Sequence, residues 1–536
     1  MNHPDLILGQ STTVAISPPE EKRWGWFQFP SLRQLADGAI HVAYHMQPDS
    51  YEVYTLPDGG RDPKYKELSD SYFSEDHGKS WRPYRDRAPE LRKADELLNG
   101  IGLANGDRVR ISRRNPPVID GMDLPEPVGT LFSDYEQLRD PGHGYRSADL
   151  PDELRYQDLF RLPAGSHEWL QQKAEIVNPH EVGRAVTTAN GTVIPVFLEG
   201  NVHLSPNGRD LIAIWDGIHT RTGGTLDERW ACFAYLSTDG GNTWNLQGII
   251  PYQPDNAFDS YGDLRIGFSE PDFAFINEET LVCVMRTTDG FGPGPTYSAI
   301  SKDLGKTWSR PRVFAPNGVL PRLLKLDSGP LILASGRPGV QLRVSADDGQ
   351  SWSAPIDLVP VTMVDVCGDT CGYTRLLASG PDRFFIVYSH FRTKNEDGLD
   401  CKAIKVCEVR VETSCTPASD VPQLPDGEVI WERHYHGDTG DRLFREIPRI
   451  DGEVNGIVKT WFQTGTLAAE STIRDGKANG PQRIYYPNGQ LRRETTFKNN
   501  VKHGPETEYN EHGIITRHLY YRGWVPCTRQ EFYAGE

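Results

Sequence analysis

An eight-residue pattern occurs four times in this chain, and it restricts the fold more than any other feature of the sequence. The pattern is Ser-x-Asp-x-Gly-x-Ser/Thr-Trp, and its copies begin at Ser74, Ser237, Ser301 and Ser345. In such a segment the Asp accepts hydrogen bonds from backbone N–H groups across a turn, and the Gly adopts a conformation that other residues avoid. The Trp covers the edge of the sheet to which the turn belongs. Each copy therefore predicts a tight hairpin between antiparallel strands, with a structural role for its Asp.

Strand-like sequence surrounds these copies. Apolar residues alternate in runs that are broken by Gly, Asp or Asn, a pattern typical of antiparallel strands. These runs are 30–44, 272–287, 322–336 and 374–388. The last three are evenly spaced, as the blades of a propeller are. The looser stretch between Ser74 and Ser237 predicts one or two blades without the pattern and a long insertion near 100–185.

A second period follows a segment rich in Pro, Ser and Asp, which predicts a linker over 416–430. Two series of glycines and one of aromatic residues then recur every 24 residues. They are Gly456, Gly480 and Gly504; Gly465, Gly489 and Gly513; and Trp461, Tyr485 and Tyr509. Each unit predicts two short strands and a glycine turn, so residues 431–527 are expected to stack into a single-layer sheet. We expect these repeats to contact a protein partner or to self-associate, and to carry no chemistry.

The eight-residue pattern resembles the Asp-box, or BNR repeat, of sialidases and related propellers, and the 24-residue period resembles bacterial MORN-variant repeats. The first resemblance covers roughly residues 20–410. Together they imply an all-β fold: a six-bladed sialidase-like β-propeller over residues 1–415, followed by a small antiparallel β-repeat domain. The resemblance also implies a glycoside hydrolase that cleaves a terminal, acidic sugar.

The sialidase resemblance assigns catalytic roles to particular residues. Glu270 precedes a strand pair that Arg286 closes, and Tyr373 begins a strand of a later blade, where sialidases carry their nucleophile. A neutral phenol is a poor nucleophile, so Glu270 is expected to accept the proton of Tyr373. Arg286 and Arg337 are expected to bind the substrate carboxylate through planar, charged hydrogen bonds. Arg343 is the alternative to Arg337.

The first blade departs from the family pattern. Sialidases carry Phe-Arg-Ile-Pro there, whereas this chain reads Phe27-Gln28-Phe29-Pro30. Gln28 can hydrogen-bond the substrate but brings no charge, and losing one of three arginines weakens carboxylate binding by about 2–3 kcal/mol. A uronic acid or a neutral sugar therefore fits the sequence as well as sialic acid does.

The acid/base and the sugar-stacking surface are also expected in this region. Asp49 is the best-placed acid/base, with Asp62 behind it. Trp26 is expected to contact the sugar as part of an aromatic wall, since flat rings suit the apolar face of a pyranose. The other candidates for the wall are Trp24, His45 and Tyr51.

Two other functions fit the same sequence. A uronate-specific polysaccharide lyase would use a tyrosine or a histidine as base, while arginines neutralise the uronate. The histidine candidates are His167, His180 and His203. A non-catalytic glycan-binding propeller is the third hypothesis, and it predicts binding without turnover.

Charge and composition restrict the partners. The formal net charge of −17 disfavours nucleic acid and membrane surfaces, and no apolar stretch is long enough to span a bilayer. The chain shows no HExxH, no paired CxxC and no nucleotide-binding motif, so we expect no metal and no cofactor. The first residues lack a secretion signal, and eight cysteines in 536 residues do not form a disulfide framework. We therefore expect a cytoplasmic location, or secretion if a signal has been lost.

Overall fold

The structure is a computed structural model, and it divides into two compact units, Met1–Glu412 and Thr413–Glu536. The described residues are 3–47, 68–112, 116–131, 142–188, 191–194, 200–221, 223–256, 258–259, 261–287, 294–361, 367–412, 429–435, 442–511, 515–523 and 525–527. Most of the predicted linker, 416–430, lies outside them, so its bounds stay a prediction. In the described part of the chain, no helix is long and apolar enough to cross a membrane.

The first unit opens with two strands that pair with its last one. They are β1 (Asp5–Leu8) and β2 (Thr12–Ile16), and both run antiparallel to the strand Asp400–Glu412. The next four strands form an antiparallel sheet of their own: β3 (Trp26–Gln34), β4 (Ile40–Met46), β5 (Ser71–Ser74) and β6 (Arg82–Pro83). Pairing between the beginning and the end of the unit closes its ring of sheets.

The stretch between β6 and residue 204 contains short strands and the two α-helices of the described residues. These elements are α1 (Pro89–Leu97), β7 (Ile101–Gly102), β8 (Arg108–Ser112), β9 (Gly129–Leu131), β10 (Gly142–Arg146), α2 (Asp152–Arg155), β11 (Gln157–Leu162), β12 (Leu170–Val177), β13 (Glu181–Arg184), β14 (Val186–Thr188), β15 (Gly191–Val193) and β16 (Gly200–Leu204). Short 3₁₀ helices lie at Tyr84–Asp86 and Ser147–Asp149, and a third follows at Gly262–Leu264.

Regular blades follow. Their strands are β17 (Leu211–Thr220), β18 (Leu226–Ser237), β19 (Thr243–Ile250), β20 (Phe268–Phe275), β21 (Leu281–Thr287), β22 (Thr296–Ser301), β23 (Arg312–Ala315), β24 (Val319–Lys325), β25 (Leu331–Gly336), β26 (Val340–Ser345), β27 (Ile356–Val359), β28 (Thr374–Gly380), β29 (Arg383–Lys394) and β30 (Asp400–Glu412). Strands β16–β19, β20–β23 and β24–β27 pair in chain order, and β28–β30 are completed by β1 and β2.

The first strands of successive sheets contact one another: β16 with β20, β20 with β24, β24 with β28, and β28 with β3. With the closing pairs of β1 and β2, this arrangement is a β-propeller, and the predicted all-β class is confirmed. Five blades are separable in the described residues. Where the sequence predicts the insertion and a further blade, β7, β8, β11 and β12 extend the sheet beyond β19, and β13, β10 and β9 extend it beyond β17.

Apolar side chains fill the spaces between neighbouring blades. The strands β21 and β25 are buried at every position, because each blade packs against a neighbour on both faces. Leu342 of β26 and Ile386 of β29, for example, belong to the same cluster of buried apolar residues. The propeller core is therefore distributed around the ring, and the first strands of the blades bring polar side chains together at its centre.

The eight-residue segments form the predicted hairpin turns. In the third copy, Asp303 Oδ1 accepts hydrogen bonds from Thr307 N at 2.9 Å and Ser301 Oγ at 2.8 Å, and Asp303 Oδ2 accepts one from the Thr307 hydroxyl at 2.6 Å. Gly305 has φ = 86°, in the left-handed region, and its carbonyl accepts from Trp308 Nε1 at 3.0 Å. The aspartate thus joins the two ends of the turn.

Asp303→Ala is expected to lower the free energy of unfolding of the first unit by about 1–3 kcal/mol, because the turn loses several hydrogen bonds at once. Urea unfolding at pH 7 measures the effect, with Asp327→Ala, at an exposed turn, as the matched control. An equal effect of both substitutions would contradict the structural role.

A buried carboxyl group lies on β13. Glu181 is 3% exposed, and its Oε2 has no hydrogen-bond partner among the described residues. Burial raises the pKa of Glu181 to about 7. The folded state therefore keeps this proton up to about pH 7, whereas the unfolded chain loses it near pH 4.3. Stability contributed by the protonated form is lost as the pH rises through this window.

Glu181→Gln is expected to raise the free energy of unfolding by about 3 kcal/mol at pH 8 and to change it little at pH 4. Urea unfolding at the two pH values measures the difference, and Glu153→Gln, on α2, is the control. The same change at both pH values would show that Glu181 does not titrate in this way.

The second unit is an antiparallel sheet of ten strands in the described residues. They are β31 (Ile430–Tyr435), β32 (Leu443–Ile450), β33 (Glu453–Val454), β34 (Gly456–Trp461), β35 (Leu467–Arg474), β36 (Lys477–Tyr485), β37 (Leu491–Lys498), β38 (Val501–Tyr509), β39 (Ile515–Arg522) and β40 (Val525–Cys527). Gly480 and Gly504 have φ of 131° and 120°. A Cβ at these positions would lie 3.1 Å from Thr472 and 3.0 Å from Thr496. The repeat thus places each of these two glycines against a threonine of the preceding strand. The predicted antiparallel repeat domain is confirmed.

Candidate active site

Glu270 is held at the start of β20 by the neighbouring blade. Glu270 is 7% exposed and has φ = 49°, and its backbone N–H donates a hydrogen bond to Asp216 Oδ2 at 2.8 Å. The pairing of β20 with β21 shifts register between Ser269 and Asp272. A backbone conformation that non-glycine residues rarely adopt is thus fixed by a buried carboxylate of β17, as is common at functional sites.

Three groups from different parts of the chain meet on the Glu270 carboxylate. The Tyr373 hydroxyl donates a hydrogen bond to Oε1. Arg286 Nη1 donates to Oε2 at 2.9 Å, and the backbone N–H of Leu320 donates to the same oxygen at 2.9 Å. Blades β20–β23, β24–β27 and β28–β30 all contribute, so the ring of blades assembles this group.

The charges at this site favour ionised Glu270. Burial alone raises the pKa of Glu270, but the Arg286 charge and the hydrogen bond from Tyr373 outweigh burial, and the pKa lies below its ordinary value. A carboxylate that faces a phenol hydroxyl can accept its proton while the phenol oxygen attacks an electrophile. The arrangement is therefore suited to nucleophilic chemistry at the Tyr373 oxygen.

An aromatic group adjoins Tyr373. The Phe29 ring packs edge-on against Tyr373 at a centroid distance of 5.0 Å, against His45 at 5.2 Å and against Trp24 at 5.7 Å. Arg337 lies over the Trp24 ring at 5.4 Å and over the Tyr373 ring at 5.7 Å. Trp24 is 36% exposed, so its ring can pack against a ligand. Sequence reasoning did not assign Phe29 or Asp216 to the site.

The structure brings four predicted residues together and sets others apart. Glu270, Arg286, Arg337 and Tyr373 form one cluster. Arg286 contacts Glu270 directly, and its binding of a substrate carboxylate stays a prediction. Arg343, the alternative to Arg337, is buried on β26, where its Nη1 donates to the Ser353 carbonyl at 3.4 Å.

The two first-blade candidates lie in the interior. Gln28 is fully buried, and its Oε1 accepts a hydrogen bond from the Gly25 N–H at 3.2 Å. Trp26 is 5% exposed, packs in the same core cluster as Phe27, and has the Arg23 guanidinium 4.0 Å from its ring centroid. Trp26 is therefore packed inside the propeller, and the expectation that it contacts a sugar stays a prediction. Trp24 has the exposed ring instead.

The remaining candidates are placed as follows. Asp49, Asp62 and Tyr51 lie outside the described residues, so the acid/base stays a prediction. The lyase candidates are dispersed: His167 is exposed, the His180 carbonyl accepts from Thr220 N at 2.7 Å, and His203 Nε2 lies 3.9 Å from Asp272 Oδ1.

Comparison with known proteins agrees with the fold. Residues 173–384 match the BNR repeat-like domain, and residues 478–499 match the MORN repeat variant. The first unit, a β-propeller, thus contains a BNR repeat-like segment, and the second unit contains a segment that matches the MORN repeat variant. No curated protein sequence matches the chain.

Several solved structures are similar to the chain. A protein of unknown function from Dyadobacter fermentans is 18% identical, with a TM-score of 0.46, and the match covers 76% of this chain and 99% of that one. The Hadza microbial sialidase Hz136 is 14% identical, with a TM-score of 0.38, over 70% and 65% of the two chains. An α-L-arabinanase from Penicillium chrysogenum, complexed with arabinobiose, is 16% identical, with a TM-score of 0.36, over 74% and 98%.

Proposed function

We propose that the first unit is an exo-acting glycoside hydrolase in which Tyr373 is the nucleophile and Glu270 its base. The observation that carries this proposal is the hydrogen bond from the Tyr373 hydroxyl to the Glu270 carboxylate, between residues 103 positions apart. A buried carboxylate that accepts a hydrogen bond from a half-buried tyrosine, beside a positive charge, fits the nucleophile-and-base arrangement that activates a weak nucleophile. The BNR-repeat fold supports a protein that acts on or binds glycans.

The reaction has two steps. In the first, the Tyr373 oxygen bonds to the anomeric carbon as the glycosidic C–O bond breaks. Glu270 takes the phenol proton, and an acid, for which we propose Asp49, protonates the leaving oxygen. In the second, water attacks the anomeric carbon with that group now acting as base, and Tyr373 leaves and regains its proton. Two displacements retain the anomeric configuration.

An acidic sugar suits the groups around Tyr373. Arg337 supplies a positive charge beside the nucleophile, while Arg286 donates its hydrogen bond to the Glu270 carboxylate. Gln28 is buried and brings no charge. The Arg337 guanidinium can bind the carboxylate of a terminal acidic sugar through charged hydrogen bonds, and a uronic acid is the proposed substrate class. The exposed Trp24 ring is proposed to contact the sugar's apolar face.

A substrate panel tests the proposal. Wild-type protein is incubated with aryl glycosides of acidic and neutral sugars and with uronate-containing polysaccharides. Release of the aryl alcohol supports the hydrolase and identifies the sugar. Ultraviolet absorbance from an unsaturated uronate would instead support the lyase. Saturable glycan binding without turnover of any member would support the binding propeller.

A further inference from the structure

A second polar group lies on the first strands of the blades, one step along from the candidate active site. Three of its residues lie on β20, β24 and β28, each two positions after Glu270, Leu320 or Tyr373 of that site. The strand β16 adds two more side chains. This group, the inner-strand cluster, consists of Asn201, His203, Asp272, Arg322 and Arg375. The hydrogen bonds of the cluster, from Asn201 to Asp272 and from Arg375 to Asn201, involve none of the side chains of the candidate active site.

Asp272 is the buried carboxylate of this cluster, and both of its oxygens accept hydrogen bonds. Its Oδ1 accepts a hydrogen bond from Asn201 Nδ2, and its Oδ2 accepts one from Leu323 N at 2.9 Å. Burial raises the pKa of Asp272, but His203 and Arg322 outweigh burial, and the pKa lies below its ordinary value. Asp272 therefore supplies one negative charge.

The two arginines of the cluster carry more positive charge than Asp272 can balance. Arg375 Nη1 donates to Asn201 Oδ1 at 3.4 Å. Burial and the nearby Arg322 charge lower the pKa of Arg375 to about 10. Arg322 Nε and Nη1 are buried and find no acceptor among the described residues. Two guanidiniums against one carboxylate leave an excess positive charge and unsatisfied donors, a costly arrangement unless an anion compensates it.

We propose that a small oxyanion, either free phosphate or the carboxylate of a sugar, binds the inner-strand cluster between Arg322 and Arg375. Anionic oxygens accept charged hydrogen bonds from guanidinium groups. Such an anion would satisfy the donors of Arg322 and reduce its repulsion with Arg375. The site does not depend on Tyr373 or Glu270 and stands if the proposed hydrolase fails.

Calorimetric titration and thermal unfolding of the full chain test this site. The probes are sodium phosphate and sodium glucuronate, with sodium chloride at equal ionic strength and glucose as controls. We expect one saturable site per chain for at least one of the two oxyanions. At a concentration of 100 times Kd, we expect a rise in Tm of about 3 °C. Tyr373→Phe should retain this binding, which separates the site from the proposed catalysis.

Variants of the cluster decide the outcome. Arg322→Gln is expected to weaken binding by about 10- to 100-fold, and Arg209→Gln, at an exposed turn, to leave it unchanged. If Arg322→Gln does not fold, Arg375→Gln supplies the same comparison. Binding of phosphate identifies a free-ion site, and binding of glucuronate without phosphate identifies a sugar carboxylate. No binding of either, an equal effect of sodium chloride, or binding that both cluster variants retain would overturn the proposal.

Discussion

Tyr373→Phe is expected to lower kcat by about a thousandfold or more, while KM changes little. The substitution removes only the oxygen that is proposed to bond to the sugar. The ring that contacts Phe29 and lies beneath Arg337 remains. A group that acts only during the reaction affects kcat more than binding. Initial rates on the aryl glycoside that wild type cleaves best measure the effect.

The control is a tyrosine of the sheet that Tyr373 directly precedes. Tyr388 lies on β29, and its hydroxyl hydrogen-bonds Ser11 Oγ at 2.8 Å, away from Glu270. Tyr388→Phe should keep kcat within about threefold of wild type, since it removes a hydrogen bond without removing a reacting group. If Tyr373→Phe retained a tenth or more of wild-type kcat, Tyr373 would not be the nucleophile.

Arg286→Met is expected to lower the free energy of unfolding at pH 7 by about 3–5 kcal/mol, because it leaves the Glu270 carboxylate buried without its charge partner. The two side chains are joined by a 2.9 Å contact, and both are buried. Activity should also fall, since the carboxylate that accepts the phenol proton loses the charge that keeps it ionised. Urea unfolding and initial rates measure the two effects.

The loss of stability caused by Arg286→Met should depend on pH. The pKa of Glu270 is lowered in the folded state, so the stability it contributes is present above its unfolded pKa, near 4.3, and is lost as the pH falls through the folded value. The cost of Arg286→Met should therefore be largest at neutral pH and shrink in acid. The double variant with Glu270→Gln should cost less than the sum of the single variants. Equal costs at pH 7 and pH 3 would contradict this account.

The fold was predictable because its signals are local and repeated. Each eight-residue segment specifies its own turn through bonds such as those of Asp303, and Gly480 and Gly504 specify theirs through backbone conformation. The region between β6 and β16 was harder to predict. Parallel pairing of β12 with β19 joins residues far apart in sequence, and alternation of apolar residues does not encode such pairing.

The candidate site was predictable where a spacing could be matched to a family, as for Glu270 and Tyr373. It was not predictable at the first blade. Phe27 and Phe29 have φ of 56° and 51°, and the pairing of β3 shifts register on either side of Gln28. These irregularities break the alternation of side chains along the strand. The ring of Phe29 thus contacts Tyr373, while Gln28 and Trp26 are buried.

Trapping the covalent intermediate tests the central claim most directly. The protein is incubated with a fluorinated donor of the sugar that the substrate panel identifies, and its peptides are then examined by mass spectrometry. We expect one glycosyl group attached to Tyr373 and no such adduct in Tyr373→Phe. An adduct on a carboxylate side chain, or full turnover of this donor with no tyrosine adduct at any time point, would contradict the assignment of Tyr373 as the nucleophile.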